Sequence, residues 1–93
     1  MHELILPETL VVFDGKFFEW HRHRTPWSGQ RCHVAHINAL DVNVDKKGRH
    51  SLRFKIINGR EENLGEIPEA DRLNVEQLIA AVRQARAAYP SLG

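Results

Sequence analysis

The sequence predicts a small α+β domain: a bent antiparallel β-sheet with one C-terminal α-helix. Three observations carry that prediction. Strand-like runs occupy the chain almost to its end. Asp14-Gly15 and Asn58-Gly59 mark tight reversals between such runs. Residues 74–89 read as a single amphipathic helix with start and stop signals.

The strands follow in order. Residues 9–13, Thr-Leu-Val-Val-Phe, are β-branched and aromatic and read as a strand. Asp14-Gly15 then favours a turn in which both central residues have positive φ. Residues 16–23 return as a second strand. Strand parity places Phe18 and Trp20 on one face, the better core candidate, and Phe17, Glu19, His21 and His23 on the other. Pro26 and Gly29 punctuate a loop around Trp27. Residues 31–37 suggest a short strand that ends near Asn38. Leu40, Val42 and Val44 alternate with Asp41, Asn43 and Asp45, the cleanest half-buried pattern in the chain. After the polar turn Asp45-Lys46-Lys47-Gly48, Leu52, Phe54 and Ile56 alternate again. Residues 60–67 form the weakest strand, interrupted by Gly65.

For the helix, Asn74 has the chemistry of an N-cap, with Gln77 at the capping-box position. Leu73 and Leu78 have the spacing of a hydrophobic staple. Val75, Leu78, Ile79, Val82, Ala85 and Tyr89 form one apolar stripe. Arg83 and Arg86 sit near the negative end of the helix dipole, and Pro90 stops the helix.

Ninety-three residues make one domain with a thin core. Hydrophobic residues are 42% and charged residues 27%, so the composition is globular rather than disordered. A formal net charge of +1 provides no broad basic field, which argues against nucleic acid as a partner. Six histidines add charge below pH ~6.5. One cysteine, Cys32, excludes an intrachain disulfide and fits a reducing compartment. Leu4-Ile5-Leu6 is cut by Pro7 and preceded by Glu3, unlike a signal peptide, and no apolar run is long enough to span a bilayer. These features lead to the expectation of a soluble, cytoplasmic protein without membrane insertion.

Residues 10–15, the step from Val34 to Ile37 into Leu40-Asp41-Val42, the strand at 51–57 and the terminal helix together resemble bacterial pleckstrin-homology-like (PH-like) domains. The resemblance covers roughly residues 9–89. It implies a strongly bent antiparallel sheet forming a small barrel or sandwich, with the helix closing one open corner. It also implies seven strands. Six are legible, leaving the start of the chain and the Trp27 loop as places for the seventh. Such domains commonly bind proteins or self-assemble. Some eukaryotic relatives bind phosphoinositides through basic residues in the first hairpin. Here that hairpin tip holds only Lys16 beside Asp14, so lipid binding is not carried over.

Arg22, Arg24 and Arg31, with Trp27, are the candidate protein-contact residues, because Arg and Trp are enriched at binding hot spots. The competing reading is a charged loop. His21, His23 and His33 are the alternative, a metal site, since His21 and His23 share a strand face. No cysteine pair supports that site, and His33 and His36 have opposite strand parity, so a solvent-facing polar strand is the simpler reading of the histidines. Cys32 beside His33 does not make a catalytic pair, because neighbours on a strand point to opposite faces. No phosphate-cradling glycine loop, His-Glu-x-x-His or Gly-x-Ser-x-Gly occurs, so neither an enzymatic activity nor a cofactor is expected. The resulting expectation is a non-enzymatic interaction or self-assembly module.

Overall fold

A computed structural model describes residues 1–24 and 29–89. Seven strands and one helix follow in order: β1 (His2–Ile5), β2 (Thr9–Phe13), β3 (Phe17–Arg22), β4 (Gln30–His33), β5 (Ile37–Val44), β6 (His50–Ile56), β7 (Glu61–Glu66) and α1 (Arg72–Arg86). The strands form two antiparallel sheets, β1-β2-β3-β4 and β5-β6-β7. The sheets do not close into a barrel; they pack as a sandwich-like pair, with α1 completing the core. The seventh strand is β1, at the start of the chain.

The core is built from inward strand positions. Leu4, Val11, Phe13, Phe18 and Trp20 come from the first sheet; Leu40, Leu52, Phe54 and Leu64 come from the second. Phe54 joins the layers, its ring 5.1 Å from Phe18 and 4.7 Å from Trp20. Phe18 and Trp20 therefore occupy the core face expected from strand parity. Val75, Leu78, Ile79 and Val82 bury the helix stripe against both sheets, with Ala85 and Tyr89 packed at its margin. Each large aliphatic side chain so buried contributes about 1.5–3 kcal/mol.

Four local expectations are corrected. The Asp14-Gly15 turn has positive φ only at Gly15, which precedes Lys16 between the closing residues Asp14 and Phe17. Asp14 instead accepts from the backbone N–H groups of Lys16 and Phe17 through Oδ1. The strand expected over 31–37 breaks after His33, and a 3-10 turn, Val34–His36, carries the chain to the second sheet. The His33 imidazole causes the break, its Nδ1 accepting from Ala35 N–H at 3.0 Å as an N-cap.

The helix begins before Asn74. Pro68 opens a 3-10 turn, Glu69–Asp71, that runs directly into Arg72. Asn74 is consequently inside the first turn, and Leu73 is 65% exposed rather than part of a staple. Glu69 and Asp71 place carboxylates near the positive helix end instead. Finally, the second strand ends at Arg22, leaving His23 in the following turn.

Gly65 marks a register shift in β7 rather than its end. Its φ is +108°, open to glycine at little cost, and the extra residue lets Leu64 reach the core.

Candidate functional site

The histidines proposed as metal ligands do not converge. His21 and His33 share the outer face of the first sheet, but the register pairs Phe17 with His33, four residues from His21. That separation is about 13 Å along the strand. His21 has Glu19 Oε2 at 3.8 Å, and a Cβ at Gly29 would collide with its ring. His23 has left the strand, and its Nε2–H donates to Leu6 O at 2.9 Å. Among the described residues no group of three His, Cys, Asp or Glu side chains is placed to hold a metal ion. His36, which strand parity separates from His33, is instead brought by the 3-10 turn to a ring distance of 6.2 Å.

The arginines are also separated. Arg22 lies on the inward parity of β3 and reaches across to β7, donating to Glu62 Oε2 at 3.2 Å and Asn63 O at 2.9 Å. Its fork ties one sheet to the other. Arg31 lies on the outward face, paired with Glu19 at 3.2 Å and stacked 4.0 Å above the Phe17 ring centre. Arg24 is exposed in the turn after β3. Trp27 lies outside the described residues. Cys32 faces Phe18 on the inward side while His33 faces outward, and desolvation pushes the thiol up to about 11. A raised thiol of this kind is held protonated at neutral pH and reacts slowly.

An edge strand is the other contact surface expected of a small open sheet, and residue spacing does not say which strand it is. β5 is an outer strand of its sheet, and α1 runs antiparallel beside it. Arg86 near the helix end donates to Ile37 O at 3.1 Å, whereas Arg72 and Val75 lie beside Val42 and Val44. Two hollows occupy the interval between strand and helix. One, of about 410 Å³, is lined by Val42, Val44, His50, Ile67 and Val75, with Arg72 and Glu76 beside them. The other, of about 330 Å³, lies between residues 37–41 and Val82, Arg83, Arg86 and Ala87.

Backbone pairing shows which groups of β5 are open. Asp45 N–H donates to Arg49 O at 3.0 Å, closing the β5–β6 hairpin. Hydrogen-bonded pairs then alternate back along the ladder, through Asn43 with Ser51 and Asp41 with Arg53. The N–H and C=O groups of Leu40, Val42 and Val44 therefore point away from β6; Leu40 is buried beside α1, and the edge is open at Val42 and Val44. Val44 is 54% exposed there. No helix among the described residues is long and apolar enough to cross a membrane.

No protein-family model, curated protein or solved structure matches this chain.

Proposed function

We propose that this chain is a non-enzymatic protein-interaction module of PH-like type that captures an extended peptide segment as an added strand on β5. The observation that carries this reading is the open edge beside α1: outward backbone groups at Val42 and Val44 with a groove alongside. An unpaired strand is a template for another chain, and the groove gives alternate ligand side chains somewhere to go. The PH-like assignment is supported by the element order, four strands, three strands and a closing helix. Self-association through the same edge is the competing use, distinguished by sedimentation of the purified chain.

The test is selection of a displayed decapeptide library on the whole protein, followed by titration of the enriched peptides. Bound peptide should slow hydrogen exchange at the Val42 and Val44 amides. Val42→Pro, which removes an outward donor, should weaken binding at least tenfold while the protein still melts cooperatively. Protection confined to another surface, or full binding by a folded Val42→Pro variant, would overturn the reading.

A further inference from the structure

The end of α1 covers the first half of β5 loosely, and the backbone beneath it is not fully paired. We infer that residues 83–89, the last turn of α1 and the turn that follows, are a lid over residues 37–41. Closed, they confine strand addition to Val42 and Val44; open, they lengthen the edge to Leu40. This rests on the strand-addition reading above and adds its regulation.

Three features coincide at this end of the strand. Leu40 is 3% exposed, yet its outward N–H and C=O have no hydrogen-bond partner among the described residues. A buried backbone group without a partner costs free energy, so water or another strand is a better neighbour for it than α1. The cover is also not close-packed: a hollow of about 330 Å³ lies between residues 37–41 and Val82, Arg83, Arg86 and Ala87. Finally, the buried stripe that holds α1 down stops at Val82. Beyond it Arg83, Gln84, Ala87 and Ala88 are exposed, and Ala85, Arg86 and Tyr89 are half-buried.

Few contacts keep the lid shut. Arg86 donates to Ile37 O at 3.1 Å and to Tyr89 O at 2.6 Å. The Tyr89 ring meets the His33 ring edge-on at 5.0 Å, where His33 caps the turn that leads into β5. Val75, Leu78 and Ile79 hold the remainder of α1 in the core whether or not these contacts form. A segment with few buried apolar contacts opens locally while the core stays folded. Opening frees the Leu40 groups, and an added strand then pairs with them. A ligand that prefers the open form draws the population toward it.

Native-state hydrogen exchange tests the lid in the free protein. The Leu40 amide, which has no acceptor, reports the cover; the Asp41 amide, on the side paired with Arg53, reports the sheet. After correction for intrinsic rates, Leu40 should exchange at least tenfold faster than Asp41 and with a smaller urea dependence, because its opening exposes less surface. Tyr89→Ala should raise the Leu40 rate at least fivefold more than the Asp41 rate. Arg86→Met, which removes both lid bonds, should act in the same direction. Leu40 exchanging in the parent at the rate and urea slope of Asp41 would overturn the lid.

The decapeptides enriched by the library selection test its role. Bound decapeptide should protect Leu40 together with Val42 and Val44, and should speed exchange at the Ala87 and Ala88 amides at least threefold. It should bind folded Tyr89→Ala at least threefold tighter than the parent, because the closed form competes less. Protection of Val42 and Val44 with Leu40 and the helix end unchanged, or equal affinity for the parent and the variant, would overturn the lid and leave strand addition standing. Protection at neither Val42 nor Val44 would overturn strand addition and the lid's role with it.

Discussion

Arg86 Nε donates to the carbonyl oxygen of Ile37 across 3.1 Å, joining the last turn of α1 to the first residue of β5. The bond lies where β5 emerges from the 3-10 turn, beside a register shift between Ile37 and Ala39. The same guanidinium takes up the Tyr89 carbonyl, three residues beyond the end of the helix. A single side chain thus anchors the helix end to a sheet edge and holds the segment that follows it.

Arg86→Met keeps much of the apolar stem and removes both donors. Hydrogen bonds from charged donors contribute about 1.5–3 kcal/mol when buried, and partial exposure lowers that. The expected loss is about 1–2 kcal/mol, or about 5–15 °C in Tm for a domain this size. Urea unfolding should show a lower midpoint with an unchanged slope. A loss within error would mean that the stripe of Val75, Leu78 and Val82 holds the helix alone.

Trp20→Ala tests the face assignment of β3. The ring is 4% exposed and packs against Phe18 and Phe54. Removing it should destabilise the fold by about 3–5 kcal/mol, a large part of a small domain's stability. Phe17→Ala, on the outward face against Arg31 and His33, should lose much less. Equal losses in the two variants would contradict the packing described.

The outline was legible because its signals are local. Alternation in Leu40-Val42-Val44 and Leu52-Phe54-Ile56, and the helical stripe from Val75 to Tyr89, follow from one segment at a time. β1 was not legible: of its four residues only Leu4 is buried, and Pro7 follows closely. The break after His33 depends on an imidazole acting as a cap, a role the residue type does not advertise. Asn74 has good capping chemistry, yet Pro68 starts the turn earlier, and the apolar stripe is satisfied by either start. The groove could not be read at all. It depends on β5 being outermost in its sheet and on α1 returning beside it, which is topology and not composition. Arg22 and Arg31, close in sequence, are parted by strand parity.

Gly65→Ala should expose the cost of the β7 register shift. A Cβ there would meet Glu8 Oε2 at 2.7 Å and Glu8 Cβ at 3.2 Å. The carboxylate is the flexible end of a side chain and can move aside. The φ of +108° cannot be relieved so easily, and a non-glycine residue held in such a region costs about 1–3 kcal/mol. The double variant with Glu8→Ala should therefore recover only a minor part, under about 0.5 kcal/mol of coupling. Full recovery would assign the effect to the clash instead of the backbone.

Asp45 gives a pH dependence with a definite sign. Its carboxylate accepts from the backbone N–H of Arg49 first of all, then from the Arg49 side chain and the Lys47 N–H, and these bonds hold its pKa below the ordinary value. Asp14 is lowered in the same direction by the N–H groups of Phe17 and Lys16. A depressed folded pKa means that the folded state binds fewer protons than the unfolded chain through this range. The stabilisation is therefore present above the ordinary carboxylate range and fades as pH falls through it. Asp45→Asn keeps an acceptor but cannot titrate. It should flatten the acid limb of a stability-against-pH curve without changing its shape between pH 6 and 8. An acid limb identical to the parent's would show that the turn carries none of the dependence.

Cys32 titrates in the opposite sense. Burial lifts its thiol from 9.0 to about 11. The stabilising contribution is present below the unfolded value and is lost as pH rises through the interval up to about 11. Reactivity gives the sharper measurement. At pH 8 the native thiolate fraction is about a hundredfold below that of the unfolded chain. A more basic thiolate is also a better nucleophile, with a Brønsted slope of about 0.4–0.5, so the net slowing from ionisation is about tenfold. Half-burial beneath Phe18 and its neighbours slows access further. Native protein should therefore react with an aromatic disulfide reagent at least tenfold more slowly than protein in urea. Rates within a factor of two would mean that the inward face of β4 opens freely to solvent, and that this edge of the first sheet is far looser than its pairing with β3 implies.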